Sequence, residues 1–297
     1  RAMALKIRYA NLPKRQRLAV MQPFVLPAGA SGPSTSAWLA SLPPWTLLVL
    51  ASPLLLWPGY AMAATNFSML DAFATLQRWI PFLLKSGFLF NIIISLFAML
   101  FGTVAGAALG LAQISQVNTI ARLAWFITQL FRNSPWLVIL FIVLLAFPFE
   151  VVIFDTVIRI PDWMKAVFGL SLPVMANISE IVRGAVMSVP TAQWESAESL
   201  GFKRHQILWS IILPQCFKRM IPPWMNWYAI LTMATPLCSL LGVEEVITLS
   251  RQAMEAEDNH PELLVPFYSF ALCLFFLYCY PIARLTVRLE RKYAVQL

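Results

Sequence analysis

Charge is what this sequence has least of. Asp, Glu, Lys and Arg make up 12% of its 297 residues, about half the share found in soluble domains. A chain so poor in charge and 59% hydrophobic has a bilayer as its expected solvent. Histidine is scarcer still. His205 and His260 are the only two, and neither has a neighbouring ligand set, so no metal site is expected. The four cysteines, Cys216, Cys238, Cys273 and Cys279, make no CxxC pair. They fall in or beside apolar segments, where a thiol is commonly a small hydrophobe. No G-x-x-x-x-G-K-[ST] is present, so the chain has no phosphate-cradling loop of that kind. The net charge of +8 does not indicate nucleic-acid binding, because the basic residues lie between apolar blocks long enough to span a membrane.

Those blocks are what the sequence does have. They fall at 44–64, 86–112, 124–148, 165–189, 221–242 and 263–285. Each is about 20 to 27 residues, enough to cross about 30 Å of hydrocarbon at 1.5 Å per residue. The expected fold class is an all-α integral membrane protein with about six transmembrane helices. Seventeen of the 22 Lys and Arg fall on one face of this map: the tail before residue 44, the second-to-third and fourth-to-fifth connections with their adjoining turns, and the C-terminal end. Only Arg78, Lys85, Arg159, Lys165 and Arg251 fall on the other. The positive-inside rule then puts both termini in the cytoplasm, as an even span count requires.

The expected organisation follows from the same map. Residues 1–43 form a basic cytoplasmic tail and linker, 44–64 an extra N-terminal span, and 286–297 a cytoplasmic tail. Ala61-Met62-Ala63 resembles a signal-peptidase site, but the segment before the apolar run is far longer than an ordinary signal n-region. A retained span is the preferred reading. Residues 65–85 form an outer-side segment, with 70–85 read as an amphipathic helix on the interface that sets Arg78, Trp79 and Lys85 at headgroup level. A buried loop is the other reading.

One polar insert stands out, ESAESLGFKRHQILWSIILP from Glu195 to Pro214. Pro190 ends the fourth span and Thr191 offers an N-cap oxygen. Residues 192–200 suit a short helix, and Gly201 suits the C′ position, where φ is positive. A second helix is expected from Phe202 to about Ile212, with Leu208, Ile211 and Ile212 on one side and Pro214 closing it. The first helix is too short to be stable alone, so it must dock. A structured loop closing a hairpin and a handle offered to a cytoplasmic partner both satisfy this.

The spacing Glu195-x-Ala197-x-x-x-Gly201, then nine residues, then Ile211-x-Leu213-Pro214 resembles the EAA loop of bacterial ABC importer permeases, E-A-A-x-x-x-G-x9-I-x-L-P. Ser196 departs from the second position, and Ala192 stands where the usual pattern has glycine. Phe131-Arg132-Asn133-Ser134-Pro135 is similar to the F-R-G-T-P of the polar amino acid (histidine/glutamine-type) group. Ser179-Glu180-Ile181-Val182-Arg183-Gly184 is similar to its S-E-x-x-R-G, and Leu213-Pro214-Gln215, Pro222-Pro223 and Asn226 follow as in the group. The resemblance runs from about residue 83 to the C-terminus. It implies a five-helix permease core over 86–285 with a coupling loop at 190–220, preceded by one extra helix.

By that resemblance the chain is the pore subunit of an ATP-driven importer in the bacterial inner membrane, and not an enzyme. No cofactor is expected in this chain, since ATP and Mg would be bound by a partner ATPase. A second permease subunit, a dimer of ATPase subunits and a periplasmic solute-binding protein are the implied partners. Glu195, Ser196 and Ala197 would sit in the ATPase groove, with Gly201 making the turn. Lys203 and Arg204 would pair with ATPase acids or simply be solvated, and Leu213 and Pro214 would anchor the loop. Glu180 and Arg183, spaced i, i+3, read equally as a structural ion pair or as gating charges. Arg132, near the inner end of the third span, is read in the same way or as a snorkelling side chain. Asn177, Ser179, Thr232, Thr235 and Ser239 are the candidate polar lining of the pore, and hydrogen bonding between helices explains them as well.

Where relatives often read K-D-T-S-L, this chain has Met233-Ala234-Thr235-Pro236-Leu237. Pro236 should kink the fifth span. The lost charges point to a heterodimer whose partner keeps them, or to a different solute such as an opine-type amino-acid conjugate. The alternative class is an ion-gradient-driven secondary transporter, which would favour inverted repeats and midplane acids. Neither is evident. A channel or a membrane-embedded enzyme fits less well still, since no filter-like loop or catalytic cluster appears.

Overall fold

The computed structural model describes residues 67–153 and 156–293. The tail, linker, first span and signal-peptidase-like site expected before residue 65 lie outside the described residues. The described chain is almost entirely helical. Three of its helices are long and apolar enough to cross a membrane, or up to five if each of two bent pairs counts as one span. Large apolar side chains such as Leu100, Phe101, Leu145, Leu272 and Leu277 are exposed, as expected of a surface that meets lipid or other subunits.

The chain enters through α1, Met69–Phe82. Ser68 caps it: its hydroxyl accepts from the Asp71 N–H, and the Asp71 carboxylate accepts from the Ser68 N–H at 2.9 Å, a reciprocal box. Ala72 and Leu76 bury against Leu249, Ala253 and Phe267, while Leu70 and Phe73 stay exposed. The amphipathic helix expected at 70–85 is therefore present, but it is not a separate surface element. A single π turn, Leu83–Phe88, carries it into α2, Leu89–Gln113. The continuous helix has 45 residues, about 68 Å, roughly twice the hydrocarbon thickness. Pro81 inside α1 lacks an N–H, and the widened turn just after it is a usual accommodation of such a fault. Arg78 and Trp79 both reach Glu257, at 3.4 Å and 3.0 Å.

The third block is not one helix. It divides into α3, Asn118–Arg132, and α4, Trp136–Ala146, which bend by 104° at the break. Pro135 cannot donate into the preceding turn, and it biases Ser134 away from helix. The carbonyls at the end of α3 are met locally. The Gln129 carbonyl accepts from the Asn133 N–H at 3.1 Å and from Asn133 Nδ2 at 2.8 Å, and the Leu130 carbonyl accepts from Ser134 Oγ at 2.6 Å.

A short antiparallel hairpin follows, β1 Glu150–Ile153 and β2 Thr156–Arg159, with Glu150 opposite Arg159. This is the one departure from an all-helical chain among the described residues. Helix α5, Asp162–Met187, lies at the centre of the molecule. It packs along α2 more extensively than any other pair, because three glycines of α2 face it. A Cβ on Gly102, Gly106 or Gly110 would come within 2.5–2.6 Å of Val174 Cγ1, the Met175 carbonyl or the Ser179 carbonyl. Close backbone approach through small residues is how helices associate without a water-driven force.

Beyond the polar insert, α8 spans Leu213–Ala234, earlier than the expected 221–242. It passes into a 3-10 turn at Thr235–Leu241, with Pro236 in its first turn and Gly242 closing it at φ +76°. Pro236 thus falls where the α-helix ends. Helix α9, Val246–Ala256, leaves at 49°. A turn at Pro261–Leu263 leads to α10, Leu264–Tyr293.

Candidate functional site

The insert folds much as its residues dictate. Helix α6 spans Thr191–Ser199. Pro190, not Thr191, occupies its N-cap, and no side chain caps it. Proline at that point already holds the extended backbone a cap needs, so Thr191 becomes the first helical residue. The C-terminal end is a complete Schellman arrangement. The Phe202 N–H donates to the Ala197 carbonyl at 3.2 Å, and the Gly201 N–H donates to the Glu198 carbonyl at 2.9 Å. Gly201 sits at φ +82°, where a Cβ is penalised.

The chain then re-enters helix through α7, Arg204–Gln206, where the Gln206 side chain accepts from the Lys203 N–H at 2.9 Å. A π turn, Ile207–Ile212, runs directly into α8. Pro214 therefore does not close the second helix. It lies in the first turn of α8, just after the hydrogen-bond register has shifted, where a missing donor is tolerated.

Helix α6 docks on its own subunit through Ala197. That side chain is buried with Val186, Val189, Ile207, Ile212 and Cys216, and Trp194, Leu208 and Ile211 pack around them. Ala197, assigned by resemblance to the partner's groove, thus faces inward, because the Schellman turn folds the chain back over it. Outward lie Glu195 and Ser196, with Leu200 76% exposed and Phe202 43% exposed. The last two were not singled out from the sequence. Their mark was there: two large apolar residues flank Gly201 at the tip of a polar loop. Ser196 and Ser199 Oγ donate to the carbonyls of Ala192 and Glu195 at 2.7 and 2.9 Å. Arg204 stacks over Trp194 at 4.6 Å and pairs with Glu198 at 3.6 Å.

The root of the insert is tied to the end of α5. Arg219 Nη1 donates to Ser188 Oγ at 2.9 Å, and Cys216 Sγ donates to the Ala185 carbonyl at 3.2 Å. One turn up α5, Arg183 grips Glu180 with two nitrogens, Nη2 to Oε2 at 2.7 Å and Nε to Oε1 at 3.2 Å. Arg132, from the end of α3, comes to 3.8 Å from the same carboxylate. The structure thus brings all three singled-out charges into one cluster.

Beside them lies a buried hydroxyl–amide knot. Gln113 Nε2 donates to Thr128 Oγ1 and Ser179 Oγ, each at 3.0 Å, and those two oxygens are 2.9 Å apart. It joins the ends of α2, α3 and α5.

The remaining polar candidates are mostly enclosed. Asn177 donates to the Pro173 carbonyl, Thr232 to Tyr228 and Thr235 to Thr232, all within 2.9 Å. Ser239 is half-buried. Thr235 also accepts from Asn91 Nδ2 at 2.9 Å. The same amide donates to Glu245 Oε2 at 3.0 Å, and Asn91 Oδ1 accepts from the Val246 N–H. Glu245 caps α9, its Oε1 accepting from the N–H groups of Ile247 and Thr248. Neither Asn91 nor Glu245 was singled out from the sequence, although each is a polar side chain beside an apolar run.

The chain from residue 98 to 295 matches the family model described as "Binding-protein-dependent transport system inner membrane component". The chain belongs to this family. It is a multi-pass membrane component of a transport system, and translocation is its role. Among relatives, it is 30% identical over 210 residues to the L-cystine transport system permease protein TcyB of Bacillus subtilis (strain 168), covering 71% of this chain and 86% of that one. It is 31% identical to the arginine transport system permease protein ArtQ of the same organism, over 66% of this chain and 86% of that one. Its fold resembles the solved structure described as an amino acid ABC transporter with histidines, with a TM-score of 0.62 at 19% identity over 77% of this chain and 100% of that one. The inward-facing MetNI methionine ABC transporter gives 0.56 at 17% identity, over 73% and 98% of the two chains.

Proposed function

We propose that this chain is the pore subunit of an ATP-driven importer for amino acids or closely related polar solutes. The observation that carries the reading is the docked insert. A nine-residue helix is held against the end of α5 and presents Glu195, Ser196, Leu200 and Phe202 outward. The names of the relatives, cystine and arginine permeases, support the substrate class. An opine-type conjugate remains within it, given the uncharged Met233-Ala234-Thr235 stretch.

In this reading both termini are cytoplasmic, the membrane is the bacterial inner membrane, and residues 86–285 form a five-span core. ATP and Mg bind to separate ATPase subunits, and a periplasmic binding protein delivers the solute. A second permease subunit completes the pore, and a heterodimer is favoured because that partner would supply the charges this chain lacks. Gly201 sets the turn, and Ala197, Leu213 and Pro214 hold the loop to its own subunit. Lys203 and Arg204 border the docking face. Arg132, Glu180 and Arg183 brace the helix ends above it. Of the proposed lining, Ser239 is the most accessible; Ser179 and Thr235 tie together helices that frame the path, while Asn177 and Thr232 bond within their own helices.

The test is gentle purification of the chain from its native membranes with mass spectrometry of what accompanies it, in parallel with Gly201→Asp. The expected result is an ATPase that accompanies the parent and is lost from the variant. Absence of any ATPase from both, across several mild detergents, would overturn the importer reading.

A further inference from the structure

The insert and the helix ends above it enclose a cleft of about 570 Å³, lined by Gln113, Trp125, Arg183, Trp194, Arg204 and Leu208 among others. We propose that this cleft binds the phosphate headgroup of an anionic phospholipid. It sits where α2 and α5 end, at Gln113 and Met187, and so where a bilayer's hydrocarbon gives way to its headgroups.

Three features of the cleft select such a ligand. The first is spare positive charge. Across the ion pairs around the cleft, three guanidiniums (Arg132, Arg183 and Arg204) share two carboxylates, Glu180 and Glu198. The Nη1 of Arg183 meets only the Met187 sulfur among the described residues, at 3.1 Å. Sulfur is a weak acceptor, and a phosphate oxygen would be a far stronger one. Arg204 lies over the Trp194 ring at 4.6 Å, and its loose Nη1 pair with Glu198 at 3.6 Å leaves further N–H groups to donate to a phosphate oxygen.

The second is the back of the cleft, where Gln113 stands. Gln113 Oε1 is buried without a hydrogen-bond partner, because the Gln113 amide nitrogen is the group turned to Thr128 and Ser179. With that oxygen turned inward, the amide presents no exposed acceptor to repel a phosphate oxygen.

The third is the wall. Trp125 is 55% exposed on α3, and Ile114, Val186 and Leu208 continue the lining. Indole rings favour the headgroup boundary, with an apolar body and a polar edge. Basic pockets between helices at that level recognise anionic lipids. Because Trp194 and Arg204 belong to the insert itself, a bound lipid would brace the loop against the span ends. The proposal does not depend on which solute is carried.

The experiment is native mass spectrometry of the full chain, together with any subunits that purify with it, titrated with phosphatidylglycerol or with phosphatidylcholine. Phosphatidylglycerol should be retained preferentially. Arg204→Gln should weaken its binding about fivefold to tenfold, the effect of one lost charge-assisted contact near a membrane surface. Lys218→Gln, which removes an equal charge from the exposed face of α8, should leave retention unchanged. Equal retention of the two lipids, or equal losses in the two variants, would refute the site. Displacement of the lipid by millimolar glycerol 3-phosphate would assign the cleft to a soluble phosphate ester instead. Displacement by a free amino acid but not by glycerol 3-phosphate would also overturn the proposal.

Discussion

Gly106 offers the sharpest test of the α2–α5 packing. A Cβ added there would stand 2.6 Å from the Met175 carbonyl oxygen and 2.7 Å from Ile178 Cβ. The first of these is backbone and cannot swing aside, so the two helices must separate by several tenths of an ångström. Overpacking of this kind costs about 1–3 kcal/mol. The same substitution gains about 1 kcal/mol of helix propensity, which offsets only part of that. Gly184, on α5, is the internal control, because a Cβ there meets nothing within 4 Å. Gly184→Ala keeps the propensity gain without the clash. The two variants should therefore differ by about 1–3 kcal/mol, with Gly106→Ala the less stable. Titration with sodium dodecyl sulfate in mixed micelles, followed by the fluorescence of the 11 tryptophans, measures the difference. Equal stability, or a Gly106→Ala variant more stable than Gly184→Ala, would show that the two helices do not approach this closely.

Three further outcomes follow from the site. Gly201→Ala should loosen the insert by about 1–2 kcal/mol from its positive φ alone, and Gly201→Asn by less. Amide hydrogen exchange at Phe202 and Gly201 would show the order, and a reversed order would exclude the Schellman turn. Glu180→Gln should destabilise the chain by about 1–3 kcal/mol, because Arg183 loses a bidentate partner. The double change Glu180→Gln with Arg183→Gln should cost less than the sum of the singles; additive losses measured by the same micelle titration would mean that the pair is not coupled. Asn91→Leu should cost about 2–4 kcal/mol, since it strands the Val246 N–H and one Glu245 oxygen in a buried site. A thermal unfolding midpoint unchanged from the parent would contradict the enclosed node.

Most helix positions were legible because lipid demands long apolar runs and leaves little else to choose from. What composition could not reveal was where a run breaks. Residues 124–148 read as one span, yet Ser134-Pro135 divides it. The sequence held the breaker, but not whether a neighbouring side chain would satisfy the carbonyl left without a backbone donor, and Ser134 does so for Leu130. The opposite error occurred at Pro214. There a proline read as a stop is passed through, because a π turn precedes it. A hairpin of two four-residue strands falls below what periodicity can detect beside a span.

The site divides the same way. The loop was legible because its geometry is local: Gly201, the short helix before it and the fixed spacing to Leu213-Pro214 all act within about 20 residues, roughly the reach of one helix and its caps. The direction in which each residue points is not local. Ala197 turns inward because Ile207 and Ile212 arrive from the next helix, and Leu200 and Phe202 are left outward as a result. The Arg132–Glu180–Arg183 cluster and the Asn91–Glu245 node join residues tens to more than a hundred positions apart. For Glu180 and Arg183 the i, i+3 spacing gave half the answer, and only packing brought Arg132 to the same carboxylate. For Asn91 and Glu245 no spacing rule applied. A polar side chain beside an apolar run must still find a partner, and that requirement, applied to every such residue in turn, would have marked both.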